Sequence, residues 1–459
     1  MTTLASTEIA APHPTPSFPT KGLLGVIPQF QADPLQIFND AGRYGTVVKM
    51  PMPALTAYVV TDVEIVEHIL MANHHNFVKQ TRGYQMLRKA LGNGLVTSDG
   101  AFWLRQRRIA QPAFHREKIA GFASVMTKAT NEMIDSWEPK LRNRESFDFA
   151  QQMMQVTLRI VGDTLLGSDT ASKSGDVGHA LTDALEHLIY RTLHPLSLPE
   201  WMPTPRNRAF IRAKAKLDEV VMGIIAARRS SGHSGDDLLS MLMEAKDPET
   251  GESMSDDQLR DEVMTLMLAG HETTANALSW TFWLLGQHPD VEKKIRAELK
   301  TVLNGRTPEA RDFPALKQCT WAIKEGMRLY PPVWSLGRKV VQDETVKGYR
   351  FEKDALVFFS PYVLHRLPQF WTDPEAFMPE RWADESVKRP KCAYIPFSSG
   401  PRKCIGDGFA LMEAVLLLAT IVQRTHIELV PGQKVVPEPL ITLRPKYGVQ
   451  VVARPAPEA

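Results

Sequence analysis

The chain has 459 residues, 43% of them apolar and 23% charged, and a formal net charge of +2. This is ordinary globular usage with material for a large core, and the balance of charge gives no reason to expect a nucleic-acid partner. Three cysteines (Cys319, Cys392 and Cys404) exclude a disulfide framework and fit a reducing cytoplasm, while the longest apolar run, over 414–422, is far too short to span a bilayer.

Residues 1–25 open with a Pro-, Thr- and Ala-rich stretch and are expected to be a flexible segment ahead of one folded domain over 26–459. Runs such as Thr46-Val47-Val48 and Tyr58-Val59-Val60 predict strands within 45–62, and from about residue 63 the pattern is mostly helical. Trp103 and Arg107, four residues apart, share a helix face, and both are donors suited to a pair of carboxylates. The plain alternative is a surface arginine. From Lys79 to Lys118 nine Lys and Arg stand against Asp99 and Glu117, a local balance of +7 that reads either as a solvated basic face or as a docking site. Polar loops are expected over 168–175 and 230–237.

A long central helix follows. Ser255 with Gln258 forms a capping box, Asp256 and Asp257 occupy the first turn, and Pro289 enforces the stop. That gives roughly 30 residues, or about 45 Å. Its middle reads Ala269-Gly-His-Glu-Thr-Thr274. Thr273 lies one turn after Ala269, and its hydroxyl can bond the carbonyl four residues back. Gly270 weakens the turn and is expected to leave room for a small molecule. An ordinary polar kink is the bland reading. A zinc site fails, because Ala275 stands where His-Glu-x-x-His requires its second histidine.

Glu325 and Arg328 meet at i, i+3 just before Pro331-Pro332, and Arg381 follows in Phe377-Met-Pro-Glu-Arg-Trp382. Beyond residue 342 come turns and short strands. The segment Phe397-Ser-Ser-Gly-Pro-Arg-Lys-Cys-Ile-Gly406 feeds a last apolar helix over 407–422, and 435–452 return to β. The helix start, exposed backbone N–H groups, Arg402 and Lys403 all favour a thiolate at Cys404. Gly400 permits the turn, Gly406 the close approach of a flat ligand, and the sulfur suits a soft or borderline metal. A buried inert cysteine needs none of this, and Cys319 and Cys392 are read as structural.

The Cys404 segment resembles, at every fixed position, the Phe-x-x-Gly-x-Arg-x-Cys-x-Gly signature of the cytochrome P450 family. The resemblance runs from about residue 30 to 452, with all four motifs in the family's order. It implies a mainly α fold with a smaller β region and haem buried between the long central helix and the Cys-ligand loop. The cofactor would be haem b (iron protoporphyrin IX), with Cys404 as axial iron ligand favouring O–O cleavage. Phe397, Gly406 and Ala269 would border the haem, and Trp103, Arg107, Arg402 and Arg338 would meet its propionates. Thr273 would steady dioxygen and Glu272 relay protons. Glu325, Arg328 and Arg381 would brace the haem-side core. The pocket would include Thr265, Leu268, Ala269, Val333 and Ile441, with residues in 80–95.

The function so implied is haem-thiolate monooxygenation of an apolar substrate (lipid, terpenoid or aromatic) by dioxygen. Electrons would come from a separate ferredoxin- or flavodoxin-type donor with its reductase, in a cytoplasmic monomer without a transmembrane anchor. A peroxide-driven hydroxylase or an isomerase of oxygenated lipids would have no use for the Glu272–Thr273 pair. A haem sensor would need no substrate cavity.

Overall fold

The computed structural model describes residues 13–167, 174–194, 197–231, 235 and 237–457. Residues 1–12, and parts of both expected polar loops, lie outside the described residues. The chain divides into two compact units, each built from three separate stretches: 1–81, 335–372 and 389–403 in the first, 82–334, 373–388 and 404–459 in the second.

In the first unit, β1 (Val47–Met52) and β2 (Leu55–Val60) form an antiparallel hairpin in register from Val47↔Val60 to Met52↔Leu55. The β-branched residues that mark these runs fit a pleated, half-buried surface. With β3 (Phe77–Val78), β5 (Leu336–Val340) and β6 (Leu356–Phe359) they make a sheet of order β1-β2-β6-β5-β3, in which β2 and β6 run parallel. Val47, Tyr58, Ile65, Ile69, Phe77, Val357 and Phe359 share its core with Cys392, Ala393 and Ile395. The approach to the Cys404 loop is therefore anchored. Trp371 Nε1 donates to the Ala393 carbonyl at 3.3 Å, and Ile395 N–H donates to His365 Nε2 at 2.8 Å.

The second unit is mainly helical, with a small sheet of β4 (Ser146–Asp148), β10 (Gln450–Pro455) and β7 (Thr425–Leu429), and a hairpin of β8 (Pro437–Pro439) and β9 (Leu443–Pro445). Six of its helices matter below: α1 (Gly100–Ala110), α2 (Phe149–Leu166), α3 (Pro205–Ser231), α4 (Asp256–Leu285), α5 (Lys317–Leu329) and α6 (Asp407–Arg424). The long helix α4 is the hub, packed against α2, α3, α5 and α6. Its start is the expected capping box: Gln258 N–H donates to Ser255 Oγ at 3.2 Å and Ser255 N–H to Gln258 Oε1 at 2.9 Å. It runs 30 residues, ends before Gly286, and Pro289 opens the next helix. Residues are buried on all sides of α4, as a helix inside a large core requires. Among the described residues no helix is long and apolar enough to cross a membrane.

One expectation changes here. A Cβ on Gly270 would lie 2.8 Å from Val161 Cγ2 on α2. The glycine lets two helices approach closely; it does not open space for a small molecule.

Candidate active site

Of the three cysteines only Cys404 is exposed. Burial drives the Cys319 thiol well up and the Cys392 thiol to about 12, so both are inert packing. In the loop before Cys404, Gly400 has φ 70°, and a Cβ there would sit 2.1 Å from the Leu70 carbonyl oxygen, so only glycine fits. Gly406 differs: a Cβ would meet nothing nearer than Phe114 at 3.7 Å. No described protein neighbour demands glycine there, which leaves room beside Cys404 for a group that is not protein. Phe397 and Arg402 are half-buried on the same loop.

Helix α1 presents Trp103, 7% exposed, and Arg107. Burial pushes the Arg107 guanidinium down, while the charges of Cys404 and Asp407 act the other way, so Arg107 lies within electrostatic reach of the α6 start. In the first unit Arg338 on β5 is 2% exposed and donates to the Gly337 carbonyl at 2.8 Å. It makes no ion pair among the described residues. A buried guanidinium is ordinarily matched by an anion, so this one fits a carboxylate brought by a ligand. Within the second unit, the Cys404 thiol with Trp103 and Arg107 as donors is a set that suits haem with its propionates.

On α4, every residue from Glu262 to Phe282 is buried except Leu266, Ala269, Gly270 and Thr273. Steps of three and four place these on one helix face. Thr273 Oγ1 donates to the Ala269 carbonyl at 2.6 Å. Behind the stripe Glu272 is 5% exposed. Its Oε1 accepts from Thr442 Oγ1 at 2.7 Å, which in turn accepts from Asn276 Nδ2 at 2.9 Å, and its Oε2 is buried without a hydrogen bond. Burial raises the Glu272 carboxyl pKa, with Thr442 and Arg444 opposing. His271 is held neutral by burial, at about 4, and no metal-binding cluster of His, Cys, Asp or Glu occurs among the described residues.

The cytochrome P450 family profile matches residues 12–452. The chain belongs to the cytochrome P450 family. It is 37% identical over 413 residues to cyclooctat-9-en-7-ol 5-monooxygenase of Streptomyces melanosporofaciens, covering 89% of this chain and 88% of that one. To cyclooctatin synthase of the same organism it is 36% identical over 416 residues, with 89% of each chain covered. To pentalenene oxygenase of Streptomyces avermitilis it is 32% identical over 417 residues, with 90% and 91% covered. This P450 is a haem-iron oxidoreductase, a monooxygenase of an apolar substrate that draws on dioxygen and a redox partner.

The remaining expected residues of the P450 distribute as follows. Thr265 and Leu268 are 2% and 7% exposed and face packed protein. A Cβ on Gly94 would lie 2.2 Å from Thr265 Oγ1. Leu266, which sequence reasoning passed over, is the residue on the open stripe. Val333 and Ile441 lie on segments joined where Trp334 Nε1 donates to the Leu440 carbonyl and Leu443 N–H to the Pro332 carbonyl, each at 2.9 Å, with Ile441 at the tip of the β8–β9 hairpin. Thr442 and Asn276 were also missed. Thr442 stands 170 residues from Glu272, and no local pattern links them. Two further carboxylates of α4 hold the neighbouring loop: Asp261 Oδ2 accepts from Asn93 N–H at 2.7 Å and Glu262 Oε2 from Leu95 N–H at 3.0 Å. Burial pushes Glu262 up to about 8.

Glu325 is fully buried and saturated. Its Oε1 accepts from Arg328, Arg381 and Met378 N–H, its Oε2 from Arg328 and Trp382 Nε1, at 2.8–3.1 Å. The basic stretch is less free than its composition implies. Lys89 pairs with Glu200, Arg105 with Glu252, and Arg108 with Asp247 and Glu249. Arg116 and Lys118 remain exposed with no carboxylate partner among the described residues.

Proposed function

We propose that this P450 hydroxylates a cyclic terpenoid, using haem b held by the Cys404 thiolate. Trp103, Arg107, Arg338 and Arg402 act as propionate donors, and Phe397, Gly406 and Ala269 border the ring. The observation that carries the reading is the half-buried stripe of Leu266, Ala269 and Thr273 in the otherwise buried middle of α4, with the buried Glu272 beside it. Relatives named for cyclooctat-9-en-7-ol and pentalenene support the substrate class. Ala269, Leu266, Val333 and Ile441 give it an apolar wall, with Thr265 and Leu268 behind.

When bound, the haem iron supplies the cleavage of dioxygen, aided by electron donation from sulfur. The chain's own work is proton handling and water control. Burial favours the protonated form of Glu272, and with Oε1 occupied by the Thr442 hydroxyl its Oε2 is the oxygen available to hold a proton. The Thr273 hydroxyl donates its hydrogen bond to the Ala269 carbonyl, which leaves its oxygen as an acceptor that orients a water able to take the Glu272 proton. This relay favours dioxygen chemistry over a peroxide-driven route, which needs no proton delivery. We further assign an acidic ferredoxin- or flavodoxin-type donor, a monomeric state in the cytoplasm, and one haem-binding domain over 26–459.

The test is titration of the haem spectrum with cyclic terpenes, fatty acids and small aromatics, then turnover under labelled dioxygen. Cyclic terpenes should shift the spectrum and take one labelled oxygen. A spectrum moved only by fatty acids or aromatics removes the substrate assignment.

A further inference from the structure

Helix α1 carries three arginines with different fates. Arg107 lies within reach of Cys404 and Asp407, whereas Arg105 and Arg108 turn to a small hairpin over 246–253, closed by a bridge between Lys246 and Ser253. Asp247 opens that hairpin with its side chain fully buried. Its Oδ1 accepts from Arg108 Nε at 2.8 Å and Glu249 N–H at 3.3 Å; its Oδ2 accepts from Arg108 Nη2 at 2.7 Å and Thr250 Oγ1 at 3.2 Å. The remaining guanidinium nitrogen of Arg108 meets Glu249 at 2.8 Å. Backbone bonds fix the hairpin itself: Asp247 N–H donates to the Glu252 carbonyl and Gly251 N–H to the Asp247 carbonyl, both at 2.8 Å.

We infer that Asp247 is a positioning residue for haem binding: by gripping Arg108 it sets the rotation of α1 about its axis and so aims Trp103 and Arg107. The geometry is specific. Trp103 and Arg107 lie on one face, and Arg108 lies about 100° round the helix from Arg107. A planar fork held at all three nitrogens resists rotation as a single point charge would not. The grip therefore acts as a torsional stop 139 residues away in sequence. This inference rests on the assignment of Trp103 and Arg107 to the propionates.

The experiment is haem transfer from the purified holoprotein to an excess of a haem-free scavenger protein, followed by absorbance. Asp247→Asn is expected to lose haem about tenfold faster, the usual scale for removing a support of a metal-site residue. Arg107→Ala should also lose haem faster, and Asp247→Glu should recover most of the wild-type rate. Asp312→Asn, which breaks a comparable buried pair with Arg306 away from α1, reports the effect of lost stability alone. Haem loss in Asp247→Asn no faster than in Asp312→Asn, at matched loss of melting temperature, overturns the inference. Unchanged haem loss in Arg107→Ala overturns the propionate assignment, and the inference falls with it. If Asp247→Asn does not fold, Arg108→Gln, which leaves Asp247 its two hairpin donors, gives the same comparison.

Discussion

Glu272, Glu262 and Glu413 are three buried carboxyls in one unit, and each has a different environment. Glu272 has a threonine partner and an open neighbour; Glu262 accepts a backbone N–H; Glu413 on α6 is wholly buried beside Thr274, and burial pushes it up to about 8 with the Thr274 hydroxyl opposing. The folded chain thus keeps the Glu413 proton up to about pH 8, whereas an unfolded chain releases it near 4.5. Between those values the native state binds more protons, so stability falls as pH rises through the window, and the cost is complete above it. Glu413→Gln should melt like wild type below about pH 5 and above wild type from about pH 8, as read by thermal scans across pH. At Thr273 the expected effect is on chemistry. Thr273→Ala should bind haem and substrate normally but convert reducing equivalents to peroxide or water; unchanged product per electron pair would remove its proton role. Cys404 was legible because its need for cations and glycines is written within ten residues of it. Gly270 was misread because a glycine's reason lies in whatever faces it, here Val161, which the sequence does not name.

At the scale of elements, α4 was readable from end to end, since caps and apolar content are local properties. The open stripe was not: burial of Thr265 and exposure of Leu266 depend on how α2 and the 92–95 loop pack. The Glu325 node lies between. Its i, i+3 pair with Arg328 was visible, but the backbone N–H of Met378 and the indole of Trp382 come from a distant segment. Arg328 also donates to the Pro374 and Ala376 carbonyls, so the node staples residues 373–382 to α5. Glu325→Ala leaves two buried or near-buried guanidinium groups without their anion, a loss of about 3–5 kcal/mol. The expected outcome is low yield of haem-loaded protein and a much lower melting temperature; normal melting would mean the node is dispensable.

For the molecule as a whole, local charge counting overstated the basic surface. Of the nine cations over 79–118, Lys89, Arg105 and Arg108 pair with acids at 200 and 247–252, which a window of sequence cannot pair. Arg116 and Lys118, exposed and with no carboxylate partner among the described residues, are the cations we assign to an acidic electron donor. Reversing both to Glu should slow reduction by such a donor steeply at low salt, with the difference shrinking as salt rises, while substrate binding holds. Equal rates at low ionic strength would place the donor elsewhere.

The threading of the two units has a consequence during synthesis. The first sheet joins β2, finished at residue 60, to β6, which begins at residue 356. At ordinary translation rates the roughly 300 residues between take about 15–60 s to leave the ribosome. Throughout that interval the Val47–Val60 hairpin exposes an unpaired strand edge of valines to the crowded cell. The second unit waits longer still, since Cys404 and α6 follow only after residue 403. A nascent chain of this protein is therefore a client for chaperones before it is a receptor for haem. Fragments ending at residue 334 should aggregate or stay chaperone-bound, without a cooperative melt; a soluble, cooperatively melting fragment would show that the second unit folds without its later stretches.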